Sequence, residues 1–205
     1  MAQDFTADGP DRKWGADISC VCTAEGWLSL AIVLDPFSRR VVGWATSDRL
    51  KRDLTVEALR RALVARNPAP GLVHHSVRGS QYCSVDYQAL LRKRGILISM
   101  SGRGNCYFNS MVLRRQNSPL DCFLILLTFF KTIKSELIWP VAWQSRQQAE
   151  NAVARYIDGF YNPVRRHSSL HFQSPIAFER KAMEVSQTLS THAGQVQSRP
   201  PTGSR

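Results

Sequence analysis

The sequence predicts an α/β fold on one mixed five-stranded sheet: three antiparallel strands, then helix and strand in alternation, with helices flanking the sheet. Three observations carry this. Between Trp14 and Ser47, three apolar runs are divided by turn-forming residues. After them, segments of helical period alternate with two short apolar runs, and such crossovers demand parallel pairing. Finally, 205 residues support one sizeable core with appendages more readily than two full domains.

The strands "WGADISCVC", "WLSLAIVLD" and "RRVVGWATS" form a meander, the last two joined by "DPFSRR", whose Asp35, Pro36 and Ser38 are turn formers. In "DLTVEALRRALVAR", Leu54, Ala58, Leu59, Ala62 and Leu63 follow the helical period, Asp53 suits the helix start, and "NPAPG" stops it. "GLVHHS" reads as a short buried strand, "VDYQALLRKRG" as a helix closed by Gly95, and "ILISMS" as a last strand. The stretch "SMVLRRQNSPLDCFLILLTFFKTIKSEL" fits no single element. Ser118 and Pro119 interrupt it, "LLTFFKTIKSEL" is acceptably helical, and "FLILLTFF" has the β propensity of an aggregating strand.

"SRQQAENAVARYIDGFYN" carries Ser145 and Gln148 at capping-box spacing, and Ala149, Ala152, Val153, Tyr156, Ile157 and Phe160 share one face. The basic loop "PVRRHSSLHFQ" leads to Ser174 and Pro175, N-cap and first residue of a helix "PIAFERKAM". The organisation expected is an N-terminal extension over 1–11, a core domain over 12–180 with an aberrant segment at 113–127, and a disordered polar tail over 181–205.

With 27 Lys and Arg against 16 Asp and Glu, the formal charge of +11 favours a polyanionic partner, nucleic acid first. Five cysteines, odd in number and without C-x-x-C spacing, imply neither a disulfide framework nor a zinc ribbon, and suit a reducing compartment. The start carries no apolar stretch behind a basic region, and the longest apolar run, "CFLILLTFF", is about half a membrane span. A soluble, cytoplasmic protein without membrane contact is expected.

The ordered strings "WGADIS", "LAIVLDPFSRRVVGWA", "HHSVRGSQY", "GNCYFNS", "FFKTIKSEL", "YIDGFYNPVRRHSSL" and "SPIAFE" closely resemble the catalytic core of bacterial insertion-sequence transposases related to retroviral integrases, over roughly residues 12–180. The resemblance implies a ribonuclease-H-like fold in which three carboxylates hold two Mg²⁺ or Mn²⁺ ions for DNA strand cleavage and strand transfer. Two ions about 4 Å apart need several anionic oxygens, because hard cations prefer them.

Asp17 matches the family's first acid. Its second lies in the pattern H-S-D-x-G-x-Q-Y, which here places Val77 at the acidic position. The family's glutamate precedes S-F-F-x-T-x-K and aligns with Leu127, or from the upstream side with Leu113. With two of three ligands aliphatic, this copy is expected to be inactive, and metal binding is not expected of it. Asp86 and Asp121 are the nearest substitutes, each displaced far beyond what a metal pair tolerates. Phe108 replaces a further family Asp, and His171 a family Gly.

DNA contact is the property expected to survive. The resemblance assigns it to Lys131 and Lys134, four and seven residues past Leu127 and so on its helical face. The loop-borne Arg78, Arg103, Arg165, Arg166 and His167 suit phosphate oxygens, whereas Arg39 and Arg40 read as solubility residues of a turn. His167 and His171 have metal-ligand spacing but no partner pair, and His74 and His75 read as structural residues of a strand end. The expected partners are DNA and either further copies of this chain or an intact transposase. The alternatives are a non-catalytic DNA-binding or transposase-associating module, or a non-functional remnant of a mobile element. The chain starts close to the core, ahead of which the family carries a helix-turn-helix region, so recognition of specific element ends is not expected of it.

Overall fold

The computed structural model describes residues 7–101 and 120–196, with side chains from Leu124 to Val185 in the second segment. Strands β1 (Lys13–Thr23), β2 (Gly26–Asp35) and β3 (Arg40–Ser47) form the meander. Helix α1 (Arg52–Arg66), β4 (Val73–Ser76), α2 (Val85–Lys93) and β5 (Leu97–Met100) follow as two crossovers. The sheet order is β3-β2-β1-β4-β5, with β1–β2 and β2–β3 antiparallel and β1–β4 and β4–β5 parallel. This is the mixed ribonuclease-H-like sheet that the sequence predicts.

Alternation along β1 sorts its residues onto two faces. Trp14 and Ala16 join Ala31, Val33, Leu59, Ala62, Tyr87 and Leu91 under α1 and α2. Val21 joins Leu30, Ile32, Phe129, Ile133 and Val153 on the other face, under α3 (Leu120–Ile133) and α4 (Arg146–Ala154). β2 is buried on both faces from Leu28 to Asp35, which is why it reads as a nearly unbroken apolar run. Gly43, beside a bulge in the β2–β3 register, lets α1 approach closely: a Cβ there would strike the Ala58 carbonyl and stand 2.6 Å from the Ala62 nitrogen.

The run "FLILLTFF" is helical. Leu126, Phe129, Phe130 and Ile133 fall on one helical arc and are buried against the sheet, so tertiary packing overrides their strand propensity. Helix α3 begins directly after Pro119 and passes into a π turn, Lys134–Ile138; α4 likewise passes into a π segment, Arg155–Tyr161. The α4 cap is as its sequence predicts: Ser145 Oγ accepts the Gln148 N–H at 3.1 Å, and Gln148 Oε1 accepts that of Gln144 at 3.0 Å.

The C-terminal helix α5 spans Pro175–Val196 and so runs past residue 181, where the sequence suggests a polar tail: no proline follows Pro175 before Pro200, and Met183, Gln187, Leu189 and Ala193 favour a helix. Glu179 ties this helix to the body. Its carboxylate takes Arg66 at 2.8 Å, Arg40 at 2.7 Å and the Ser38 hydroxyl at 2.7 Å. Arg66 also holds Asp11 at 2.9 Å and stands 3.8 Å from Asp35. Asn162 closes on the outer side of β3, accepting the Val41 N–H at 3.0 Å and donating to the Val41 carbonyl at 2.9 Å.

Candidate functional site

Asp17 sits mid-strand on β1, half-buried, on the face that α3 and α4 cover. Burial pushes its carboxyl up to about 6, opposed by the Ile18 N–H at 2.8 Å and by the charge of Lys134. Lys134 is therefore close enough to bias Asp17. Lys131 and Leu127 stand one and two turns back along α3 from it, on the same arc, as the sequence predicts.

The parallel register Ala16↔Ser76 brings the exit of β4 beside Asp17, so residue 77 is the next step across the sheet. Val77 does not complete a polar pocket. It is half-buried against the cluster under α1 and α2, where an aliphatic side chain gains by burial. Leu127 is half-buried on α3. The two acid-bearing positions that the resemblance singles out thus stand on elements next to Asp17, and both present hydrocarbon.

Asp86 is not a replacement. It lies in the first turn of α2, exposed, and pairs with Arg52 at 3.1 Å. Asp121 lies in the first turn of α3, and its side chain is outside the described residues. Residues 102–119 contain no Asp or Glu. Among the described residues no three His, Cys, Asp or Glu side chains stand together as ion ligands. The donor set here does not fit a pair of hard divalent ions, for which a single carboxylate is too little negative charge.

The histidines of β4 are structural. His74 is fully buried and its Nε2 meets the Tyr87 hydroxyl at 2.9 Å, burial pushing the ring down to about 3; His75 Nδ1 meets Ser99 Oγ at 3.0 Å. The basic candidates divide by location. Arg78 is exposed in the loop after β4, Lys131 is exposed on α3, and Arg103 lies outside the described residues.

Arg165, Arg166 and His167 lie on the opposite flank of α3 from Lys134. Ile125, Thr128 and Thr132 line a cavity with them, and at about 100° per residue the centre of these three lies about 130° round the helix from that of Leu127, Lys131 and Lys134. Arg165 is not free: it grips Glu136 through Nη2 at 2.6 Å and Nε at 3.0 Å, while the Tyr156 hydroxyl donates to the same carboxylate at 2.6 Å. His167 is buried with its ring edge-on to Tyr161. His171 adopts φ 51°, the left-handed region, which accounts for the glycine the resembling family carries there.

Arg39 is the residue that sequence reasoning missed. It and Arg40 are indistinguishable as neighbours in a turn, yet Arg40 pairs with Glu179 while Arg39, at φ 60°, lines the cavity with Arg165 and Arg166. Glu136 and Tyr156 were equally silent, their partners lying 29 and 20 positions away.

Comparison with known proteins agrees with this fold. The integrase core domain family matches residues 7–106, and a second integrase core domain family matches residues 128–183. An uncharacterized 31 kDa protein of insertion element IS600 from Shigella sonnei is 38% identical over 181 residues, 88% of this chain and 61% of its own length. The transposase InsF of insertion sequence IS3A from Escherichia coli is 40% identical over 181 residues, 88% of this chain and 58% of its own. The chain therefore spans only about three-fifths of these relatives' length. Among solved structures, the simian T-cell lymphotropic virus intasome chain superposes with a TM-score of 0.56 at 15% identity, covering 84% of this chain and 55% of that one. The HTLV-2 integrase catalytic core domain in complex with magnesium gives 0.54 at 12% identity, covering 82% and 94%. These distant likenesses establish the fold.

Proposed function

The chain belongs to the integrase core family of insertion-sequence transposases, and from that premise we propose that it is a DNA recombination core that engages DNA but neither cuts nor joins it. One observation carries the reading. Where the family needs three converging carboxylates, β1 supplies Asp17, the exit of β4 supplies Val77 and α3 supplies Leu127. Nucleophilic attack on a phosphodiester through two ions requires charge that this pocket does not hold.

What remains is a basic surface. Lys134 stands near Asp17 with Lys131 exposed one turn back along α3, Arg78 stands at the exit of β4, and Arg166 is exposed in the loop after the π segment Arg155–Tyr161; with a formal charge of +11 they favour backbone phosphates without reading bases. No helix among the described residues is long and apolar enough to cross a membrane. A second reading is a subunit that joins an intact transposase, and the HTLV-2 core in its dimeric form offers the parallel.

The test is nicking and strand transfer on duplex DNA with Mg²⁺ and with Mn²⁺. The unaltered chain should bind DNA in a salt-sensitive manner and leave it intact; robust turnover would overturn the claim. The double variant Val77→Asp, Leu127→Glu should gain metal-dependent nicking.

A further inference from the structure

A cavity of about 380 Å³ opens between α3, the turn preceding β3 and the loop following α4, on the flank of α3 away from Asp17. Among the described side chains its charge is unbalanced. Arg39, Arg165 and Arg166 line it, and Glu136, the one described carboxylate that pairs with any of them, is engaged by Arg165 and Tyr156. No ion pair to Arg39 or Arg166 occurs among the described residues. Arg39 is half-buried beside Ile125 and the buried Phe129, while Arg166 and Phe172 stand at the exposed rim of the cavity.

His167 adds a second sign. It is only 7% exposed, and its Nδ1 faces Arg165 Nη1 at 3.3 Å. A guanidinium can only donate, so Nδ1 accepts and the ring proton sits on Nε2. That buried Nε2 has no partner among the described residues. Burial, together with the Arg165 and Arg39 charges, holds the ring neutral, pushing it down to about 4. Arg39 is itself depressed, by burial first and by Arg165 after it. Ser168 and Thr132 place hydroxyls on the same wall.

We propose that this cavity is a seat for a phosphate group, held by the Arg39 and Arg166 guanidiniums against the Arg165–Glu136 pair. Guanidinium forks match the oxygens of a tetrahedral oxyanion, and a dianion or a bridging phosphodiester would offset the charge the fold leaves uncompensated. The source could be DNA backbone or free phosphate, and their chemistry at the seat is the same. The DNA source rests on the reading of the chain as a DNA-engaging core, and would place DNA on both flanks of α3.

Two measurements separate these. The first is thermal melting in sodium phosphate against sodium chloride at equal ionic strength, for the wild type, Arg39→Gln, Arg39→Lys and the exposed Arg166→Gln. Phosphate should raise the wild-type midpoint by about 3 °C, and Arg39→Gln and Arg166→Gln should lose most of that gain. Arg39→Lys, which keeps the charge, should retain part of it. The second is duplex binding as a function of salt. Each lost phosphate contact should lower the slope of log affinity against log salt by about 0.9.

Phosphate protection with a lowered slope assigns the seat to DNA. Protection with an unchanged slope assigns it to free phosphate. The absence of both effects overturns the seat, even where the wild type binds DNA through Lys131 and Lys134. If the wild type binds no duplex at low salt, the DNA-engaging reading falls, and the melting measurement alone decides the seat. Should Arg39→Gln fail to fold in chloride, Arg166→Gln carries both measurements.

Discussion

Replacing Asp17 by asparagine should stabilise the protein, and only where the carboxyl would otherwise be charged. Burial lifts this group from its ordinary 3.8 to about 6. At about 1.36 kcal/mol per pH unit, that displacement corresponds to about 3 kcal/mol between the protonated and the ionised forms. The sign follows from linkage. A carboxyl whose folded value is raised contributes stability that is fully present below 3.8 and is lost as the pH rises through about 6. Asparagine keeps the oxygen that accepts the Ile18 N–H and has no charge to bury. Urea unfolding of both proteins at pH 4 and pH 8 is the assay. Asp35, which burial pushes up to about 7, is present in both and cancels in the difference. The Asp17→Asn variant should exceed the wild type by about 2–3 kcal/mol at pH 8 and by little at pH 4. Equal differences at the two pH values would refute the argument that a buried charge at this position strains the fold.

Arg66→Leu should lower stability by about 3–5 kcal/mol in chemical denaturation, since it strips Asp11 and Glu179 of a buried partner and leaves Asp35 with unrelieved neighbours. A loss under about 1 kcal/mol would show the network to be slack. Gly43→Ala should cost at least about 2 kcal/mol, or prevent folding, because its methyl would meet the backbone of α1 at Ala58 and Ala62; unchanged melting would mean that α1 can retreat. Lys134→Gln should move the Asp17 titration above about 6, as followed by carboxyl-carbon NMR, because a lowering charge is removed.

The sheet was legible in the sequence because its rules are local. Alternation on β1, the two-sided burial of β2 and the turn residues at Asp35 to Ser38 each act over a few positions. The same holds for the α4 cap. What was not legible depends on partners distant in the chain. Helix α3 is helical because Phe129 and Phe130 find the sheet, which no window of eight residues contains. Glu179 and Arg66 are 113 positions apart, and neither has a local feature that marks it as buried. The site divides likewise. Asp17 and the aliphatic positions 77 and 127 were read from motif order, whereas the cavity beside Arg39 arises only when the turn before β3 meets the loop after α4.

The amide of Asn162 bears on how copies of this chain could meet. A sheet's outermost strand, with open N–H and C=O groups, is a template on which a foreign strand can grow. On β3 both Val41 groups are spoken for by Asn162, and the Trp44 carbonyl by Arg61 at 3.2 Å. A newcomer would have to evict two side chains before gaining its first rung. That rim is therefore guarded against fibrous stacking, and self-association is steered toward helical surfaces or the opposite rim at β5.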